Sequence, residues 1–364
     1  MNTDTKKSEP TDNTLLNVDR LSVEIPLRNG LLKPVDGVSF TISPGEILGV
    51  VGESGAGKSI CGAAIIGLLE RPARIAGGEV SLSGKRIDNL PMDALRKVRG
   101  GQIGTIFQDP LTSLNPLQRI GDQLAETALT HLPITRSEAR DRALAALEDV
   151  GIPGAAQRLK AYPHEFSGGM RQRVVIALAL IAEPSLVIAD EPTTALDVSV
   201  QAQILTLLRD LCTKRGMGVM LITHDMGVIA ETTDRVAVLY AGRLAEIGDT
   251  ERVMRNAMHP YTTGLMGATP SANRAQGERL QQIPGAMPSL FNAPAGCAFF
   301  ARCQHAMPRC ELNKPALATN KGHGVACYLH ESPENESPEN ALPQNESSQP
   351  GTQNGTHMGS GAKP

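Results

Sequence analysis

The chain has 364 residues, an apolar fraction of 41%, and 38 acidic against 35 basic residues. That length suits about two domains with ample buried core, and the near-balance of charge excludes a field that would gather nucleic acid or anionic lipid, so partners are recognised by shape. The opening MNTDTKKSEPTDNT lacks the apolar core of a secretory leader, and the longest apolar run, Val174 to Ala182, falls well short of the roughly 20 residues that cross a bilayer, so a cytosolic chain is expected that meets membranes only through another protein.

From Leu15 to about Met254, apolar strand-like runs alternate with helical patterns, as in an α/β domain. The predicted strand Leu48 to Val51 runs into GESGAGKS at Gly52 to Ser59, which matches GxxxxGK[ST] and opens a helix at about Lys58. In such a loop the main chain from Gly52 through Glu53, Ser54, Gly55, Ala56 and Gly57 wraps phosphates with its N–H groups, Lys58 reaches the terminal phosphates, and Ser59 offers a hydroxyl to Mg²⁺. A strand at Ile103 to Phe107 leads to Gln108. Between Pro116 and about Ala182 the pattern turns helical, first over Ile120 to Leu129 and then after Thr135. There Thr135 and Glu138 form a capping box, Ala143, Leu144, Leu147 and Val150 share one face, and Gly151 with Pro153 ends the helix.

FSGGMRQR follows at Phe166 to Arg173. Its Ser167, Gly168 and Gly169 precede an apolar helix predicted from Arg171 to Ala182, so glycine N–H groups and a helix N terminus make an anion site. The strand Leu186 to Ala189 delivers Asp190, placed to hold Mg²⁺ through water, and Glu191, placed to polarise an attacking water. Hydrolysis is implied. A last strand, Val219 to Thr223, presents His224. Singly, each has a plain alternative: a glycine turn, two acids closing a strand, a solvated glutamine, a core histidine. Their order and separation on one chain reverse that balance.

Beyond Asn256 the alternation fades and Pro, Gly and Cys become frequent up to about His330. Cys297, Cys303, Cys310 and Cys327 crowd into this stretch, and four cytosolic thiolates suit a [4Fe–4S] cluster or tetrahedral Zn²⁺. The absence of CxxC pairs favours the cluster; zinc, with His305 and His323 as substitute ligands, is the alternative, and unliganded structural thiols are the third reading. Such a ligand set would replace the hydrophobic core that a short, Pro-rich region lacks. Cys61 and Cys212 fall in apolar helical patterns and read as core. From Glu331 the tail repeats SPEN and holds almost no apolar residue, which predicts disorder. The expected organisation is a disordered terminus at 1–14, an ATPase domain at 15–255 with a helical insert at about 116–182, a C-terminal region with the cysteines at 256–330, and a disordered tail at 331–364.

The ordered set GESGAGKS, FSGGMRQR, LVIADEP and THD resembles the ATP-binding cassette superfamily. SGGMRQR, IFQDPLTSLNP at Ile106 to Pro116, ADEPTTALDVSVQAQI at Ala189 to Ile204 and HPYTTGL at His259 to Leu265 are similar to the ATPase subunits of oligopeptide and dipeptide importers, over about Leu15 to His330. The resemblance implies a P-loop nucleotide-binding fold with a helical subdomain, and ATP and Mg²⁺ as ligands. It makes Gln108 a sensor of Mg²⁺ and the γ-phosphate, so that Ser59, Gln108 and Asp190 surround the ion. It gives His224 the role of holding the γ-phosphate and orienting Glu191, places Asp197 at a dimer interface, and directs Ser167 to Gly169 at the γ-phosphate bound by another subunit. One departure stands out: no Phe, Tyr or Trp occurs from Leu15 to Ser39, so Ile25 occupies the position where relatives stack an aromatic on adenine. Implied partners are a second, distinct ATPase subunit, two integral membrane permease subunits and a solute-binding protein, with the chain peripheral on the cytoplasmic face of the inner membrane and no nucleic acid bound. Importers with nearly the same ATPases carry nickel or glutathione, so the solute does not follow. The competing readings are a soluble cassette protein of DNA repair or translation, disfavoured by a single phosphate loop and balanced charge, and a metal-sensing module in which ATP is only a ligand, disfavoured by Glu191 and His224.

Overall fold

The sequence patterns above build twelve strands, and a computed structural model describes them within residues 13–28, 30–194, 196–269 and 282–330. Apart from Asn13 and Thr14, the terminal segments 1–14 and 331–364 lie outside the described residues. The strands are β1 (Leu16–Leu27), β2 (Gly30–Ile42), β3 (Ile47–Val51), β4 (Arg74–Leu82), β5 (Lys85–Arg86), β6 (Ile103–Ile106), β7 (Leu186–Asp190), β8 (Gly218–Ile222), β9 (Arg235–Tyr240), β10 (Arg243–Asp249), β11 (Ala318–Asn320) and β12 (His323–Val325).

Two sheets result among the described residues. β3 and β8 are continuous apolar runs buried along their whole length, as strands covered on both faces must be. They lie at the centre of a sheet ordered β11-β12-β10-β9-β3-β8-β7-β6, in which β9, β3, β8, β7 and β6 are parallel. β1 instead alternates, with Leu16, Val18, Leu21 and Val23 buried between less buried neighbours, so it presents one face to a core. It pairs antiparallel with β2 and β4 in the second sheet, ordered β2-β1-β4-β5.

The stretch between β6 and β7 is helical. Helices Ile120–His131, Arg136–Asp149 and Gly168–Leu180 bury Leu124, Ala128, Ala143, Leu147, Val175 and Ile176 in one apolar cluster shared with Val187 and Val219 of the main sheet. The capping box is formed: Glu138 Oε2 accepts the Thr135 N–H at 2.7 Å while Thr135 Oγ1 accepts the Glu138 N–H at 3.3 Å. The helix expected from Arg171 begins three residues earlier, at Gly168, because Ser167 Oγ accepts the Met170 N–H and caps it.

The chain beyond Asn256 does not stand apart from this core. β12 pairs with β10, and Tyr261 and Phe299 pack against Tyr240 of β9 with ring centroids 4.5 and 5.2 Å apart. The region therefore extends an existing apolar core.

Candidate active site

Four parallel strands, β3, β8, β7 and β6, end side by side, and each hands its next residues to the same edge of the sheet. That edge is where ligands gather in open α/β sheets. β3 leads to the phosphate loop, β7 to Asp190 and Glu191, β8 to His224, and β6 to Gln108.

In the loop, Gly52 and Gly57 have φ of 155° and 99°. A side chain at Gly52 would strike the Leu239 carbonyl oxygen and one at Gly57 the Pro34 carbonyl oxygen, so sterics and backbone conformation both demand glycine there. Lys58 starts the helix Lys58–Ile65 and is 6% exposed. Its Nζ donates to the Gly52 and Glu53 carbonyls at 2.8 and 3.1 Å, folding the side chain back over the loop. Burial lowers its pKa, and the charges of Glu191 and Asp190 oppose that shift.

Ser59 Oγ donates to Asp190 Oδ1 at 3.0 Å. Burial raises the Asp190 pKa, the Ser59 hydrogen bond opposes it, and the neighbouring Glu191 charge adds to the rise. A half-buried carboxylate beside a hydroxyl and a phosphate loop is a site that gains a cation readily. These oxygen donors fit Mg²⁺, which takes one or two protein carboxylates and completes its shell with water and substrate phosphate.

Glu191 collects three side chains. Its Oε1 is 3.1 Å from His224 Nδ1, and its Oε2 accepts from Gln108 Nε2 at 3.0 Å and from Thr194 Oγ1 at 2.9 Å. Its backbone sits at φ 46°, a left-handed conformation that costs a non-glycine residue on the order of 1–3 kcal/mol and that the surrounding bonds hold in place. Burial by itself would raise the carboxyl, but the hydrogen bonds from His224 and Thr194 and the charges of His224 and Lys58 outweigh it and hold the pKa below the ordinary glutamate range. An ionised base thus faces the phosphate loop.

The Ser167 to Gly169 turn lies elsewhere on the chain. Ser167 and Gly168 are exposed, and a side chain on Gly169 would come within 2.7 Å of Val200 Cγ1 in the helix Val198–Arg215. Asp197, also exposed, caps that helix by accepting the Val200 N–H at 3.0 Å and the Ser199 hydroxyl at 2.8 Å. Among the described residues no hydrogen bond or ion pair joins the Ser167 turn to Gly52 to Ser59 of its own chain. Ile25, half-buried on β1 opposite Leu32, lines an open cleft of about 900 Å³ together with Ser59, Phe107 and Asp190.

The chain matches two families, "ABC transporter" over residues 35–194 and "Oligopeptide/dipeptide transporter, C-terminal region" over residues 245–310. It is 46% identical over 319 residues to the dipeptide transport ATP-binding protein DppD of Bacillus subtilis, covering 87% of this chain and 95% of that protein. It is also 46% identical to the oligopeptide transport ATP-binding protein OppD of Salmonella typhimurium, covering 90% of this chain and 96% of that protein. The chain belongs to the ATP-binding cassette transporter family, in its oligopeptide/dipeptide group. A dimeric ATP-binding cassette solved in a post-hydrolysis state with ADP and phosphate superposes with a TM-score of 0.59 at 27% identity, covering 65% of this chain and 99% of that one. The cassette cbiO1 of Clostridium perfringens gives the same TM-score and identity over 67% of this chain and 92% of that one.

The expected metal centre of this cassette is corrected. Cys297, Cys303, Cys310 and Cys327 lie near one another, with the Cys297 N–H on the Cys310 carbonyl at 2.7 Å, yet among the described residues no group of three or more His, Cys, Asp or Glu side chains is placed to hold a metal ion. The iron–sulfur assignment therefore fails, and zinc has no support. Burial pushes the Cys327 thiol up to about 11 and raises Cys297 and Cys303, which keeps them protonated. His323, a substitute ligand in the zinc reading, is fully buried with Nε2 2.7 Å from Glu246 Oε1. This region does not lack a core that a metal must replace: Cys297 and Cys303 pack against the cluster of Tyr240, Tyr261 and Phe299. Cys61 and Cys212 are buried as expected, with thiols pushed up to about 12 and about 11 by desolvation.

Three residues bonded to this site were not singled out from the sequence: Thr194 on Glu191, Tyr261, whose hydroxyl accepts the Glu53 N–H at 2.8 Å, and Arg302, whose Nη1 lies 3.0 Å from Glu53 Oε2. Thr194 follows Glu191 by three residues within the quoted DEPTTALD run, so a hydroxyl at that spacing was a usable signal. Tyr261 belongs to HPYTTGL, which marks the group without revealing a role. Arg302 had no local signal, since its partners lie far away in sequence.

Proposed function

We propose that this cassette subunit hydrolyses ATP to drive uptake of peptides through a membrane transporter. The observation that carries the reading is the Glu191 carboxylate held by Gln108, His224 and Thr194, next in sequence to the Asp190 that bonds Ser59 at the phosphate loop. In this assignment the loop from Gly52 to Gly57 binds the phosphates, Lys58 neutralises their charge, and Glu191 takes a proton from the attacking water while His224 fixes its orientation. Ser59, Gln108 and Asp190 would hold Mg²⁺, which would supply charge neutralisation at the phosphate oxygens.

Ser167 and Gly168 are exposed and, among the described residues, make no hydrogen bond or ion pair to Gly52 to Ser59, which supports a role at the nucleotide of a second ATPase subunit, with Asp197 at the interface between them. The helical insert at 116–182 would carry that turn as a unit. Leu68, Met92 and Phe107 are exposed apolar side chains lining the open cleft, and Leu111, three residues after Gln108, is exposed as well. That patch supports docking of permease subunits, with Gln108 passing nucleotide state to them. No helix among the described residues is long and apolar enough to cross a membrane, which fits a peripheral subunit on the cytoplasmic face of the inner membrane. A solute-binding protein and a distinct partner ATPase complete the proposed assembly. The relatives' names, dipeptide and oligopeptide transport, favour peptides as the solute.

Purification from native membranes tests this directly. Two permease subunits, a second ATPase and peptide-stimulated ATP turnover are expected together. Recovery free of any membrane protein, or turnover indifferent to a peptide-loaded binding protein, would overturn it.

A further inference from the structure

The phosphate loop is held from outside by the chain beyond Asn256. Arg302, on the short turn Phe300–Arg302, has a side chain only 6% exposed. Its Nη1 lies 3.0 Å from Glu53 Oε2 in the loop and 3.2 Å from Tyr240 Oη, and its Nε donates to the Pro284 carbonyl at 2.8 Å. The guanidinium also stands 5.8 Å from the ring centroids of Tyr240 and Phe299. Tyr261, fully buried on helix Pro260–Ala268, accepts the Glu53 N–H at 2.8 Å. Glu53 is thus fixed by its side chain and its main chain at once.

Glu53 is also a support of the phosphate-binding lysine, since its carbonyl accepts from Lys58 Nζ at 3.1 Å. A continuous series therefore runs from Arg302 through Glu53 to Lys58. On the other side of Arg302, the segment it anchors at Pro284 reaches Met287, whose Cε would lie 3.1 Å from a side-chain carbon placed on Gly55. Removing either member of such a buried pair leaves the other charge uncompensated, so the Arg302–Glu53 contact holds both partners in place.

We infer that Arg302 and Tyr261 are positioning residues for the phosphate loop, and that through them ATP binding is coupled to the C-terminal segment Ile283–Arg302. The inference rests on the ATPase reading above. Coupling of this kind is reciprocal: whatever steadies the segment favours the nucleotide-binding loop, and nucleotide steadies the segment. The C-terminal region of this chain then has a function at the nucleotide site.

The test uses the full chain with a fluorescent ATP analogue and Mg²⁺, comparing Arg302→Gln, Glu53→Gln, the double variant and Tyr261→Phe. Arg302→Gln is expected to weaken nucleotide binding and raise KM about tenfold, the loss of one charged hydrogen bond, with kcat changed less. Glu53→Gln should do the same, and the double variant should be no worse than either single change. A slowly hydrolysed ATP analogue should slow amide exchange over 283–303 in the unaltered chain and not in Arg302→Gln. If Arg302→Gln lowers the melting temperature while nucleotide affinity stays within about twofold, the residue is only structural and the inference is overturned. Should that variant not fold, Tyr261→Phe, which removes one hydroxyl, decides by the same affinity measurement. Failure of the unaltered chain to bind the analogue would instead overturn the ATPase reading.

Discussion

Replacing Glu191 with glutamine isolates the proposed proton acceptor with little change of shape. Its Oε2 accepts from Gln108 and Thr194, and its Oε1 faces His224 Nδ1. An amide oriented with its oxygen toward Gln108 and Thr194 keeps both of those bonds, and its nitrogen takes the place of Oε1 beside His224 Nδ1. The variant should therefore fold with stability within about 0.5 kcal/mol of the parent and bind ATP with affinity within about twofold. Turnover is another matter, because an amide cannot take the proton of water. Loss of a general base lowers rate by about 10²–10⁴-fold, or about 2.7–5.4 kcal/mol in the barrier. Steady-state phosphate release, paired with equilibrium binding of a fluorescent ATP analogue, measures both quantities on one preparation. A kcat within about tenfold of the parent, with binding intact, would refute the assignment of Glu191 as the base.

Two further outcomes follow from the same geometry. His224→Gln removes the largest influence that lowers the Glu191 pKa, so the burial that opposes it gains ground and the pKa rises; the acid limb of kcat/KM should move to higher pH, and an unmoved or downward limb would show that His224 does not tune the base. The sign carries over to stability: a depressed carboxyl stabilises the fold above its unfolded pKa, and that contribution is lost as pH falls through the folded value. Ser167→Arg loses a helix cap, at about 1 kcal/mol, visible as a lowered melting temperature. In complexes that combine it with an unaltered partner, site-resolved nucleotide labelling should show the larger loss at the site whose phosphate loop belongs to the other subunit; equal loss at both sites would count against the shared-site assignment.

Much of the main sheet was legible because its strands are unbroken apolar runs, and β3, β6, β7 and β8 fall within a residue of their predicted positions. The antiparallel sheet was harder to read, since the β1–β2 ladder slips register at three places and so breaks the two-residue alternation. The cysteines misled because spacing along the chain says which thiols are near in sequence, and nothing about the aromatic core that surrounds them. The phosphate loop, the Asp190–Glu191 pair and His224 were expected from sequence because, ambiguous singly, they occur in one order and separation on one chain that has a single joint use. Their meeting at one sheet edge follows from parallel strand order, which the sequence alone does not state. The tertiary structure by itself decided the bonds to Glu191 and the support of Glu53 by Arg302, 249 residues away. Such contacts depend on where burial brings distant chain together, and no local pattern encodes that.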